Sequence, residues 1–133
     1  MSERLGHMFS LAKLALVGLL GQLCLAQMNS LEGVRVHDAP NYTRVVFDTR
    51  SKLNYQVFTL DNPKRVVIDF NDTAISQKLA PWQVDSRVVA GIRRAERQHG
   101  IYRVVLDLKR PVKSPEPFVL NPVRPYGHRL VID

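Results

Sequence analysis

Thiols are almost missing from this chain: its one cysteine among 133 residues is Cys24. Long apolar runs are missing too. The longest, Leu14 to Leu25, falls short of the ~20 residues that a membrane-spanning helix needs. It is preceded by a polar, basic stretch holding Arg4, His7 and Lys13 and followed by Ala26-Gln27. A basic lead, a short apolar centre and a small residue before a polar one predict a secretory signal over residues 1–26. An uncleaved anchor is the alternative reading. Bulky Leu23 before Cys24 argues against a lipid-modified cysteine. Cleavage after Ala26 leaves a domain over residues 27–133 that has no thiol and no stable membrane span. That excludes disulfides, a cysteine nucleophile and a thiolate metal site.

Catalytic patterns are equally scarce. His37, His99 and His128 show no H-x-x-x-H spacing. Ser30, Ser51, Ser76, Ser86 and Ser114 lack a G-x-S-x-G setting, and no glycine-rich loop is present to cradle phosphate. An enzyme is therefore not expected, and no metal or cofactor is called for. Acidic residues are in the minority: 12 Asp and Glu against 19 Lys and Arg give a formal net charge of +7. A basic exported chain points to anionic polymers as partners: wall glycan with carboxylated peptides, lipid head groups or nucleic acid. Export makes nucleic acid the least expected of these.

What the sequence does have is an internal repeat. Gly33-Val-Arg-Val36, Tyr42-Thr-Arg-Val-Val-Phe-Asp48, Phe58-Thr-Leu-Asp-Asn-Pro63 and Arg65-Val-Val-Ile-Asp69 form the first series. Gly91-Ile-Arg-Arg94, Ile101-Tyr-Arg-Val-Val-Leu-Asp107, Phe118-Val-Leu-Asn-Pro122 and Arg129-Leu-Val-Ile-Asp133 repeat it in order. Each segment alternates apolar and polar positions and is rich in β-branched residues, with Pro, Gly, Asn and Asp between segments. The fold class read from this is all-β: a small β-sandwich of two packed sheets, built from a duplicated multi-strand unit with pseudo-two-fold symmetry. A half-barrel is the runner-up. Asp72 to Leu79, with a possible cap at Asp72 or Thr73 and apolar Ile75 and Leu79, predicts one short connecting helix ended by Pro81.

Alternation places Arg44, Val46 and Asp48 on one face of their strand and Val45 and Phe47 on the other. Arg65-Val67-Asp69, Arg103-Val105-Asp107 and Arg129-Val131-Asp133 repeat the split. The apolar faces are the expected core, and the Arg–Val–Asp rows are expected outside, one set on each half. Two readings of the rows stay open. Arginine and aspartate on neighbouring strands can pair and simply solvate the sheet. Alternatively, the guanidinium forks offer bidentate donors to carboxylates of a bound polymer. Candidate ligand-binding residues are Arg35, Arg44, Arg65, Arg93, Arg103 and Arg129, with Tyr42 and Tyr102 as rings for sugar stacking. Tyr126 also lies beside a strand start. Trp82 is expected to pack in the core, as are the matched Phe58 and Phe118. Asp48, Asp69, Asp107 and Asp133 recur symmetrically and are read as structural.

These segments, above all Asn62-Pro-Lys-Arg-Val-Val-Ile-Asp69, resemble the AMIN domain. That domain precedes the catalytic part of some periplasmic N-acetylmuramoyl-L-alanine amidases and occurs in type IV pilus secretins. The similarity runs from about Leu31 to the end. It implies a non-catalytic, periplasmic β-sandwich that binds peptidoglycan and directs an attached or partner cell-wall enzyme to the division site. It also leaves two alternatives: the front piece of a zinc-dependent amidase whose catalytic domain lies elsewhere, or a docking module for divisome or secretin proteins. The zinc ligands of such a catalytic domain, histidines and a glutamate, have no counterpart here. One departure is the basic stretch Arg94-Ala-Glu-Arg97-Gln-His-Gly100.

Overall fold

The computed structural model describes residues 29–76 and 82–133, so the expected signal over 1–26 lies outside the described residues. Nine strands form: β1 (Asn29–Asp38), β2 (Thr43–Thr49), β3 (Tyr55–Leu60), β4 (Arg65–Phe70), β5 (Thr73–Ile75), β6 (Val89–Arg97), β7 (Ile101–Leu108), β8 (Pro117–Leu120) and β9 (His128–Ile132). They make two sheets, one in the order β5-β1-β2-β9-β8 and the other β3-β4-β7-β6. All neighbours are antiparallel except β5, which runs parallel to β1.

The all-β sandwich expected from the repeat is present, and its halves are interleaved. Matching β1 to β6, β2 to β7, β3 to β8 and β4 to β9 converts the series β1-β2-β9-β8 into β6-β7-β4-β3. Each sheet therefore takes two repeat strands from each half. The joins between halves are central: β2 pairs with β9 from Val45↔Ile132 to Thr49↔His128, and β4 pairs with β7 from Arg65↔Asp107 to Phe70↔Tyr102. Even the irregularities match, because register shifts fall between Leu31 and Gly33 in β1 and between Val89 and Gly91 in β6. Leu31 and Val89 are both buried.

The expected alternation sets the core. Val45 and Phe47 on β2 and Leu130 and Ile132 on β9 face Val66, Ile68 and Phe70 on β4 and Val104 and Leu106 on β7. Phe47 and Phe70 meet edge-on at a centroid distance of 5.3 Å, an arrangement favoured by the ring quadrupoles.

Three expectations are corrected. The connecting helix over 72–79 is replaced, where described, by a turn and β5. Asp72 takes φ 49°, outside the helical region, and β-branched Thr73 and Ile75 pair with β1 instead. Residues 77–79 lie outside the described residues. The helical element among the described residues is a single 3-10 turn, Gln98–Gly100, at the tip of the β6–β7 hairpin. There Gly100 has φ 71°, a conformation that suits a residue without Cβ. Second, Phe58 and Phe118 are not core residues: they lie opposite Val67 and Val131, on the outer faces. Third, the arginine rows are not segregated by half, since each outer face draws on both. Among the described residues no helix is long and apolar enough to cross a membrane.

Candidate ligand-binding faces

On the five-stranded sheet, alternation brings Arg35, Arg44 and Arg129 outward together with Asp48 and Asp133. On the four-stranded sheet it brings out Arg93, Arg103 and Arg65 with Asp107 and Asp69. The two sets correspond residue for residue. Arg44 donates to both oxygens of Asp133 at 2.7 Å, and Arg103 to both oxygens of Asp69 at 2.7 and 2.8 Å. Arg35 grips Asp48 at 3.0 and 2.8 Å, and Arg93 grips Asp107 at 2.7 and 2.8 Å. Arg129 lies opposite Asp48 and Arg65 opposite Asp107 in the ladders. Each matched set thus holds three guanidiniums against two aspartates.

These contacts act on the charges. Hydrogen bonds from Arg44 and Arg93 hold Asp133 and Asp107 below the usual carboxylate range. The same bonds raise the basicity of Arg44 and Arg93, and bonding to Asp69 raises that of Arg103. Four of the six arginines are therefore paired in the solvating manner. Among the described residues Arg65 and Arg129 form no salt bridge. They turn to backbone carbonyls instead: Arg65 donates to Pro63 at 3.0 Å and Arg129 to Asn121 at 3.3 Å.

Rings interleave with the arginines. Arg103 lies over Phe58 at 5.4 Å and Arg44 over Phe118 at 5.6 Å, a symmetric pair of cation–π contacts. The aliphatic stems and these rings cover Val67 and Val131, which are each 1% exposed although they point outward. The five-stranded face adds two rings without counterparts. Tyr42 stacks under Arg44 at 5.3 Å, and Tyr126 is shared by Arg35 at 5.5 Å and Arg129 at 5.0 Å. Tyr42, Phe118 and Tyr126 are 47%, 37% and 49% exposed.

Of the expected site residues, Arg35, Arg44, Arg129 and Tyr42 therefore share one face, and Arg65, Arg93 and Arg103 share the other. Tyr102 joins neither. It is 4% exposed and lies in the core, because it neighbours outward Arg103 and so points inward. Burial raises its phenol pKa. Phe118 was missed as a face residue, since an edge-strand phenylalanine looks like core until its register is known. Trp82 packs against the core as expected, with Arg94 over its ring at 5.2 Å. Among the described residues no group of His, Cys, Asp and Glu is arranged to hold a metal ion.

The AMIN domain family model matches residues 33–133. Over 118 residues the chain is 35% identical to the N-acetylmuramoyl-L-alanine amidase AmiC of Escherichia coli O6:H1, covering 86% of this chain and 28% of that protein. Over 106 residues it is 35% identical to the amidase of the same name from Neisseria meningitidis serogroup B, covering 74% of this chain and 24% of that protein. The chain thus spans about a quarter of the length of these relatives. With the matched motif segments forming both sheets of the sandwich, the chain belongs to the AMIN domain family.

Proposed function

We propose that this domain is a non-catalytic peptidoglycan-binding module, exported to the periplasm, that brings an attached cell-wall amidase to its substrate at the division site. The observation that carries the reading is the five-stranded face, where three arginines alternate with the exposed rings of Tyr42, Phe118 and Tyr126. Rings supply flat apolar surface for sugars, and guanidinium edges supply donors for glycan carbonyls and stem-peptide carboxylates. The chain's formal net charge of +7 favours an anionic polymer. The amidase relatives support the wall as that polymer. Contacts of this kind are individually weak, so attachment to an enzyme would add through effective concentration.

Co-sedimentation with purified sacculi tests this. Because the Arg44–Asp133 and Arg103–Asp69 pairs are the less exposed of the four, the informative variant leaves them intact and replaces Arg35, Arg65, Arg93 and Arg129 with Gln. We expect bound protein to fall by about tenfold or more, in keeping with loss of several charge-assisted contacts, while the thermal transition persists. Full binding by the folded variant would remove the arginine faces from the account. A second reading, docking to a protein assembly, is favoured by one feature: β8 is an edge strand whose four residues are all exposed. Such an edge can accept a partner strand. A complex that survives digestion of the wall would favour docking.

A further inference from the structure

The pseudo-symmetry also fails in the connections between strands, and a cleft lies at one such place. The β2–β3 connection, residues 50–54, sends Leu53 into the core at 9% exposure. The matching β7–β8 connection, residues 109–116, is longer, and its Val112 stands 37% exposed on the rim of a cleft of about 480 Å³. Volumes of about 300–1,000 Å³ are usual for sites that enclose small ligands. Where one repeat closes its end with a leucine, the other leaves it open.

The cleft reaches the core between the sheets. Val45 and Ile132 from one sheet and Val66 and Leu106 from the other line it. The lining also holds Arg87, Arg110 and Lys113, together with Glu116 and Asp133. Asp133 is already held by Arg44. Arg87 is fixed in the wall by a 2.8 Å bond to the Ala39 carbonyl and approaches Asp38 at 3.6 Å. Arg110 uses one Nη to reach the Arg87 carbonyl at 3.3 Å. Lys113 is exposed on the rim and belongs to none of the salt bridges among the described residues. Its ammonium is a point charge that can turn toward a ligand.

Apolar walls with three cationic side chains beside two acidic ones, of which Asp133 is held by Arg44, suit a ligand with small hydrocarbon groups and one carboxylate. We infer that this cleft binds the carboxylate-bearing end of a short peptide with small apolar side chains, the carboxylate lying toward Lys113 and Arg110 and the methyl groups over the valines. Naming the wall stem peptide as its source rests on the peptidoglycan reading above. The preference for a carboxylate over small side chains does not.

The test is NMR titration of the folded domain with acetyl-D-Ala-D-Ala at millimolar concentrations, beside the same peptide as its C-terminal amide. Perturbations gathered at residues 39–43 and 108–116, weakened at least about fivefold by the amide or by K113E, are expected from loss of one charge-assisted contact. V112W, which fills the rim, should abolish them while the remaining resonances keep their dispersion. Absence of perturbation at these residues, or equal binding of acid and amide, overturns the inference. Sacculus binding by K113E separates the two ideas. If the peptide does not bind yet sacculi are held through the arginine faces, the cleft fails alone. If the peptide binds and the four-arginine variant sediments normally, the face reading fails alone.

Discussion

Asp69 and Asp133 hold matched positions and identical bidentate partners, yet their surroundings differ. The Arg103–Asp69 side chains are 25% and 10% exposed, against 38% and 26% for Arg44–Asp133. Removing one member of a pair costs more where water cannot replace it. Asp69→Ala should therefore lower stability by about 1–3 kcal/mol, and Asp133→Ala by clearly less, as read from urea midpoints. Equal losses would mean that the difference in exposure is without consequence. Asp38 gives a pH prediction. It accepts hydrogen bonds from the Arg87 backbone N–H at 2.7 Å and from the Ser86 and Thr43 hydroxyls at 2.8 Å. These bonds, led by the Arg87 N–H, lower its pKa to about 2. A carboxyl whose folded pKa lies below its unfolded value stabilises the fold above that unfolded value, near 4, and stops doing so as pH falls toward 2. Acid titration of stability should show a component in that window that Asp38→Asn removes. Gly33 offers a comparison within the repeat. A Cβ there would lie 3.3 Å from the Asp48 carboxylate held by Arg35, while one at Gly91 would meet nothing within 4 Å. Gly33→Ala should disturb its face and Gly91→Ala should not, as read from backbone chemical shifts.

At the level of elements, strand identity and inward or outward parity were legible in the sequence for β2, β4, β7 and β9, where an arginine–valine–aspartate row alternates with apolar residues. Parity also implied that Tyr102 points inward beside Arg103; its candidacy as a stacking ring rested on its residue type alone. Register was not legible, because pairing across a ladder joins residues far apart in sequence. That is why Phe58 and Phe118 read as core, and why β5, whose partner is the beginning of β1, read as a helix. The cleft left no local pattern either; it exists because one connection is longer than its counterpart. Position in the sheet also reverses what chain order suggests. β9, near the end of the described chain, is flanked by β2 and β8 and supplies Leu130 and Ile132 to the core. A version ending at Gly127 should lose its folded NMR dispersion, whereas trimming a peripheral strand would not.

The repeat itself was plain in the sequence, but the arrangement of its halves was not, since two self-contained halves would show the same series of segments. In the molecule, β1–β2 and β3–β4 of the first half belong to different sheets, and each is completed by a pair from the second. Residues 29–76 alone would leave the inner edges of β2 and β4 without partners and expose one side of Phe47 and Phe70. That piece should not fold as a monomer. Mixed with a separately made piece over 82–133, it should regain the native spectrum, with a midpoint that depends on concentration. The interleaving also has a historical sense. A single ancestral unit could have satisfied its open ladders only by trading strands with an identical molecule, as swapped homodimers do. Tandem fusion would then have made an encounter between two molecules into an encounter within one. It would also have freed the two ends to diverge, one keeping its leucine plug and the other opening into a cleft.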